Sequence, residues 1–219
     1  MEIIQLEKFS REYLDQLLSG IPFFKFVKNL DDQQYELLLK WSRLVNYSPN
    51  EVVVQRGARD QWLYFLLKGR LAAYVSDTLK GELVNYITPG EVFGDISQLI
   101  GQPRTATLIA EPSHRESIVL ATDSTLFGDI KTFHPITLQT KLAFYRNTVH
   151  NLRWKLEVYR SQHLNHALAN KHRLVKLYNG ARESVEELAA LHEQAQALAV
   201  LLLEWNREFG ALEVDAIPN

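Results

Sequence analysis

Between residues 50 and 130 apolar side chains come in short runs, each closed by a glycine- or proline-bearing turn, and this rhythm restricts the fold more than any other feature of the chain. Residues 52–55 lead into Arg56 and Gly57; 62–67 run into Lys68 and Gly69; 70–75 follow at once. A turn near Lys80 and Gly81 leads to 83–87, which Thr88, Pro89 and Gly90 close. Strand character returns at 105–110, 117–121 and 125–130. Many short strands with punctual turns predict an antiparallel jelly-roll β-barrel, a double-stranded β-helix. Helical patterns at both ends make the class α+β.

Ser10 is placed to cap a first helix carrying Tyr13, Leu14, Leu17 and Leu18 on one face, ended by Gly20, Ile21 and Pro22. Asp31 and Gln34 read as a capping box for a second, bearing Tyr35, Leu38, Leu39 and Trp41 and stopping at Ser48, Pro49 and Asn50. Beyond His134 the chain reads as helical almost to its end, with Pro135 in the first turn. Leu138, Leu142, Tyr145, Val149, Leu152 and Leu156 form a stripe able to pair with a second copy, and Asn179 and Gly180 suit a left-handed C-cap. Ser184 and Glu187 open a last helix with Leu188, Leu191, Ala195, Leu198, Leu202 and Trp205 on one side, stopping near Gly210. The expected organisation is a roll with N-terminal helices over 1–133 and a long helix with a helical hairpin, for dimerisation or output, over 134–219.

Charge separates sharply beneath a net value of −2. Residues 131–182 hold ten Lys/Arg against the single acid Glu157, whereas 183–219 hold eight acids against Arg207. Such asymmetry fits either a nucleic-acid or membrane surface or two helices of opposite charge lying together. No apolar run approaches the length of a membrane span. The start of the chain has neither a basic leader nor an apolar core, which predicts no secretory signal. The absence of cysteine removes disulfides and thiolate chemistry, and a cytoplasmic setting fits. The histidines show no metal spacing; His163 and His166 read as an exposed helical pair. No nucleophile–base spacing is present, so neither a catalytic residue, nor a metal, nor a cofactor is expected.

The chemistry concentrates in residues 93–107. A helix start supplies unpaired amides, Gly94 admits close approach of backbone, and the Arg104 guanidinium can grip two phosphate oxygens as a fork. A carboxylate at Asp95 would accept a hydrogen bond from a ribose 2′-hydroxyl. Phe93, Gly94, Asp95, Ile96 and Ser97, followed by Pro103, Arg104, Thr105 and Ala106, resemble the phosphate-binding cassette of cyclic-nucleotide-binding domains. That family's pattern is Phe-Gly-Glu-(Leu/Ile)-small, then Pro-Arg-(Ala/Ser/Thr)-Ala. Residues 88–93 are similar to its lead-in, and Lys68, Gly69, Arg70 and Leu71 to an earlier turn; the likeness extends over 22–160. The resemblance implies that Gly94, Ile96, Ser97, Thr105 and Ala106 surround the phosphate and that Arg104 pairs with its exocyclic oxygens.

Two departures stand out. Asp95 is one methylene shorter than the family's glutamate, and residues 111–116 are inserted ahead of the last strand. In the family's kinase branch a threonine at the position of Thr105 goes with cGMP, yet bacterial regulators with a hydroxyl there bind cAMP, and the balance falls to cAMP. Base contacts are expected from the long helix, at Asn147, Asn151, Arg153 and Trp154. The last helix lacks a turn glycine, positive charge and a following wing, so it does not suit DNA reading. The expected protein is a cyclic-nucleotide sensor, a homodimer that signals through its C-terminal helices to a protein partner. A ligand-free scaffold and, further off, an atypical DNA-binding regulator are the alternatives.

Overall fold

In a computed structural model of the chain, residues 1–75 and 83–215 are described, the side chains of Glu7 and 209–215 excepted. The turn expected near Lys80 and Gly81 lies outside them. Two antiparallel sheets form the roll. One has the order β1 (Glu2–Ile4), β2 (Ser42–Tyr47), β9 (Ser117–Asp123), β4 (Trp62–Lys68) and β7 (Val92–Phe93). The other has the order β3 (Val52–Val54), β8 (Thr107–Ala110), β5 (Leu71–Tyr74) and β6 (Leu83–Ile87). The sheets face each other as a jelly roll, and among the described residues no ladder joins them into a closed barrel.

Strand alternation explains why the first sheet is so apolar. Val45, Tyr64, Leu66, Val119 and Ala121 point inward to meet Val54, Leu71, Ala73, Leu108 and Ala110 of the second sheet. Their neighbours Leu44, Leu63, Phe65 and Leu120 point the other way, onto the N-terminal helices. A sheet buried on both faces has no polar register to offer, hence its nearly continuous apolar runs. At the β4–β5 turn Gly69 sits at φ +86°, where a Cβ would lie 2.6 Å from the Glu116 carbonyl. The inserted 111–116 segment is therefore pressed onto this turn, where Glu111 bonds Arg70 and Glu116 bonds Lys68.

Helix α1 (Arg11–Leu18) is capped by Ser10, as expected. Pro22 starts a further helix rather than merely ending α1: α2 (Pro22–Leu30) carries Pro at its first turn and buries Phe23, Phe24 and Val27. In α3 (Asp32–Lys40) Asp31 accepts from the amides of Gln33 and Gln34. Gln34 does not complete the box; its amide bonds Pro135 O and the amide of Thr137 across the fold. The helix ends before the half-exposed Trp41, and the chain passes directly into β2 instead of continuing to Ser48. The apolar segment 125–130 is not a strand. Asp123 caps a 3-10 turn, Ser124–Phe127, that delivers Leu126 and Phe127 to the aromatic cluster of Phe23 and Phe144.

Helix α5 (Leu138–Gln162) is capped by Thr137, so Pro135 lies ahead of it. Helicity stops there: residues 163–184 form a strap with one 3-10 turn, Lys171–Leu174. Gly180 is a bend within it, not the expected left-handed cap. Asn165, Asn170, Asn179 and Gly180 are weak helix formers, and tertiary bonds fix the strap instead. Arg153 donates to His172 O and Val175 O, at 3.0 and 3.2 Å. Helix α6 (Val185–Asp215) passes through Gly210 and returns along α5. The Glu187 amide donates to Ser184 Oγ at 3.1 Å, and its carboxylate accepts from Arg146 through both oxygens at 2.7 Å. Leu188, Leu191, Ala195, Leu198, Leu202 and Trp205 pack against Leu142, Val149, Leu152, Leu156 and Tyr159 of α5. The stripe expected to pair two copies is thus covered within one chain.

Glu157 holds the strap on α5 by meeting His172 at 2.8 Å and Arg173 at 3.0 Å. The bond from His172 first, then Arg173, outweighs burial and brings its carboxyl down to about 2 from an ordinary 4.5. A depressed acid contributes stability that is complete above the unfolded value and lost as pH falls through the folded one. Urea midpoints measured from pH 4.5 towards 2 should therefore fall less steeply in Glu157→Gln than in the parent; parallel slopes would refute this role.

Candidate ligand site

The segment after β7 turns at Gly94, which lies at φ +81°. A Cβ there would come within 2.5 Å of Arg104 Nη1 and 3.1 Å of Trp62 O, so both backbone angle and space require glycine. One short helix, α4 (Asp95–Ile100), follows and ends at Gly101 in the left-handed region.

Arg104 is 3% exposed, and its backbone is fastened to the 57–58 turn through Arg104 N to Ala58 O and Gly57 N to Arg104 O. The guanidinium reaches inward beneath Gly94. Nη1 donates to Gly94 O at 2.6 Å and to Ser97 Oγ at 2.8 Å; Nη2 donates to Trp62 O at 2.6 Å and to Asp60; Nε donates to Asp60 at 3.1 Å. These bonds employ every N–H of the group. Asp60 also accepts from the amide of Trp62. Burial alone would raise its pKa; Arg104 and the Trp62 amide overcome that and hold it below the ordinary value.

Asp95 is 1% exposed and neither carboxylate oxygen has a hydrogen-bond partner. Its nearest cation is Lys155 Nζ of α5, 3.6 Å away, which itself donates to Val92 O at 2.9 Å. Between these groups lies a cavity of about 80 Å³. Phe93, Gly94, Asp95, Ile96, Ser97, Arg104, Thr105 and Ala106 line it, together with apolar side chains of both sheets such as Val54, Ala73 and Ile87. Phe93 is held by stacking on Tyr64, with ring centroids 5.0 Å apart. Pro103 lies outside, in a groove with Arg56, Gln102 and Arg207.

The remaining wall comes from the C-terminal helices: Lys155 and Tyr159 of α5, Leu202 and Asn206 of α6. Asn206 Nδ2 donates to Thr105 Oγ1 at 3.4 Å, and Gln196 Nε2 to Leu99 O at 3.2 Å. Helix α6 is thereby laid across the segment 94–106. Asn147, Asn151, Arg153 and Trp154 are not among the lining residues. Arg153 is engaged with the strap and Trp154 is 60% exposed. Asn151 precedes Lys155 and Tyr159, which do line it, by one and two turns on the same face of α5. Sequence reasoning did not assign to the site Lys155, Tyr159, Leu202 and Asn206, which line the cavity, or Asp60, which pairs with Arg104.

Residues 44–130 match the profile of the cyclic nucleotide-binding domain. The chain is 26% identical to the cAMP-dependent protein kinase regulatory subunit of Mycosarcoma maydis, over 46% of this chain and 22% of that one. It is equally 26% identical to the cGMP-dependent protein kinase of Plasmodium berghei, over 48% and 12%. The chain thus spans no more than about a quarter of the length of these relatives. In fold it is similar to a cyclic nucleotide-binding domain from Methylobacillus flagellatus, with a TM-score of 0.56 and 13% identity over 70% of this chain and 83% of that one. It is also similar to the regulatory subunit of a cAMP-independent protein kinase A from Trypanosoma brucei, with a TM-score of 0.51 and 20% identity over 69% and 49%.

The Asp60–Arg104 pair makes a stability prediction. Asp60→Asn leaves a buried guanidinium without its counter-charge, a loss of about 3–5 kcal/mol. Chemical denaturation should report it as a large fall in midpoint; a change under about 1 kcal/mol would mean that the pair behaves as a surface ion pair.

Proposed function

Because residues 44–130 match the profile of the cyclic nucleotide-binding domain, we propose that the protein is a sensor of a cyclic nucleoside monophosphate. The ligand sits between the segment 93–106 and the C-terminal helices, and α5 and α6 report its presence to a partner protein. A kinase is the partner class that the named relatives favour. The carrying observation is the convergence of Gly94, Ser97 and Arg104 on a cavity whose last wall is α6. The role is one of binding, not catalysis.

The cavity is narrow, about 80 Å³, and Leu202 and Asn206 of α6 form part of its outer wall. Ligand therefore enters a state in which the Leu202–Asn206 turn of α6 has withdrawn. Arg104 then exchanges neutral acceptors, Gly94 O, Ser97 Oγ or Trp62 O, for phosphate oxygens, while Asp60 keeps its charge balanced. Asp95, which lacks a donor in the closed state, receives one from the ribose hydroxyl. The shorter side chain is compatible with this because the carboxylate already lines the cavity. The walls beyond are largely apolar, Val54, Ala73, Val84, Ile87 and Leu108. They suit adenine better than guanine, whose additional polar groups would be left unpaired, so cAMP is the preferred ligand.

One observation favours a second reading, a ligand-free scaffold: Arg104 is saturated by protein acceptors and Asp95 faces Lys155. Calorimetry separates the two. Under the sensor reading cAMP binds with a micromolar dissociation constant, about −8 kcal/mol, more tightly than cGMP, and Arg104→Ala abolishes the heat. Trp205→Ala, which removes the contact of α6 with Tyr159 and His166 at a residue that does not itself line the cavity, should tighten binding about tenfold by populating the open state. No heat with either nucleotide at about millimolar concentration, in parent and Trp205→Ala alike, would establish the scaffold.

A further inference from the structure

Apart from Met1, the most exposed large apolar side chains among the described residues are Trp154, Leu164, Leu174 and Leu177, at 60%, 61%, 83% and 61%. All lie on the strap or beside it: Arg153 holds His172 and Val175, on either side of Leu174, and Trp154 is the next residue of α5. The same stretch is strongly cationic, since 158–182 contain five Lys/Arg and no acid. Glu157 and Glu204 pair with Arg160, Arg173 and Lys171. Lys176 and Arg182 have no ion pair among the described residues.

Beside the strap runs a face of α6 with the opposite character. Glu186, Ala189, Glu193, Ala197 and Val200 are exposed along it. A groove of about 650 Å³ separates the two, with Val175, Lys176 and Leu177 on one wall and Ala190, Glu193 and Ala197 on the other. Water-exposed leucines flanked by cations suit an anionic lipid surface, but the two exposed acids of this row, Glu186 and Glu193, would be repelled by it. The same row argues against nucleic acid. A surface with a positive wall and a negative wall is complementary to itself when turned over.

We propose that this surface pairs two copies of the chain about a two-fold axis, each strap lying on the partner's α6. Rotation about that axis sets Lys176 of each protomer over Glu193 of the other and buries Leu174 and Leu177. The interface is independent of the nucleotide reading and differs from the Leu138–Leu156 stripe, which is occupied within the chain.

Analytical ultracentrifugation of the full chain tests this. The parent should sediment as a dimer at about 10–100 µM, and Leu174→Asp with Leu177→Asp, both exposed positions, should weaken association at least tenfold. Lys176→Glu and Glu193→Lys should each weaken self-association, yet an equimolar mixture of the two variants should form the heterodimer. That pairing distinguishes contact between copies from one across the groove of a single chain. A monomeric parent, a dimer indifferent to the aspartates, or a mixture no tighter than its components would each overturn the proposal; a monomer that binds anionic vesicles would transfer the surface to lipid.

Discussion

A guanidinium at 3% exposure must find an acceptor for every N–H, and the way Arg104 does so organises the ligand site. Its bonds to Asp60, Trp62 O, Gly94 O and Ser97 Oγ draw the entry of β4, the turn after β7 and the first turn of α4 onto one point. The glycine at 94 follows from this, because any Cβ would intrude on the same nitrogen. So does the burial of Asp95, carried inward by the turn and left with only Lys155 opposite. A buried charge cluster of this sort is expensive to assemble from water, and its use lies in fixing geometry rather than in adding net stability.

The second constraint is that the cavity built around Arg104 is incomplete without the C-terminal helices. Lys155 and Tyr159 arrive from α5, Leu202 and Asn206 from α6, and Arg146 with Glu187 fastens the beginning of α6 to α5. The strap between them, pinned by Arg153 and Glu157, sets how far α6 can travel. Around Leu202 and Asn206 closure consists of apolar packing, neutral hydrogen bonds from Gln196 and Asn206, and the exposed ion pair Lys171–Glu204. The opposite charges of the two arms, visible in the sequence, meet along this junction at Arg146–Glu183 and Lys171–Glu204.

The cassette was legible because its members are local: Gly94, Ser97 and Arg104 lie within one turn-helix-turn, and their residue types state their chemistry. Asp60 was not, since its pairing with Arg104 spans 44 positions and nothing beside it advertises a partner. The stripe from Leu188 to Trp205 declared what α6 buries but not against what, so the helix was expected only as one arm of a hairpin for dimerisation or output. Pro22 was taken as a stop when it is a first-turn residue, and both roles share the same fixed φ. Residues 125–130 have strand-like composition, yet Asp123 caps a 3-10 turn there, a local bond that outweighs propensity. The basic run to Arg182 carries no helix breaker before Asn179, and only the bonds of Arg153 and Glu157 show why 163–184 leaves the helix.

Amide hydrogen exchange along α6, with and without saturating cAMP, addresses the central claim most directly. The account predicts that amides around residues 198–208 lose protection on ligand binding while those of the 93–106 segment gain it. Saturable binding that leaves α6 as protected as before would contradict it, and would mean that the nucleotide and the closed helix occupy the protein together.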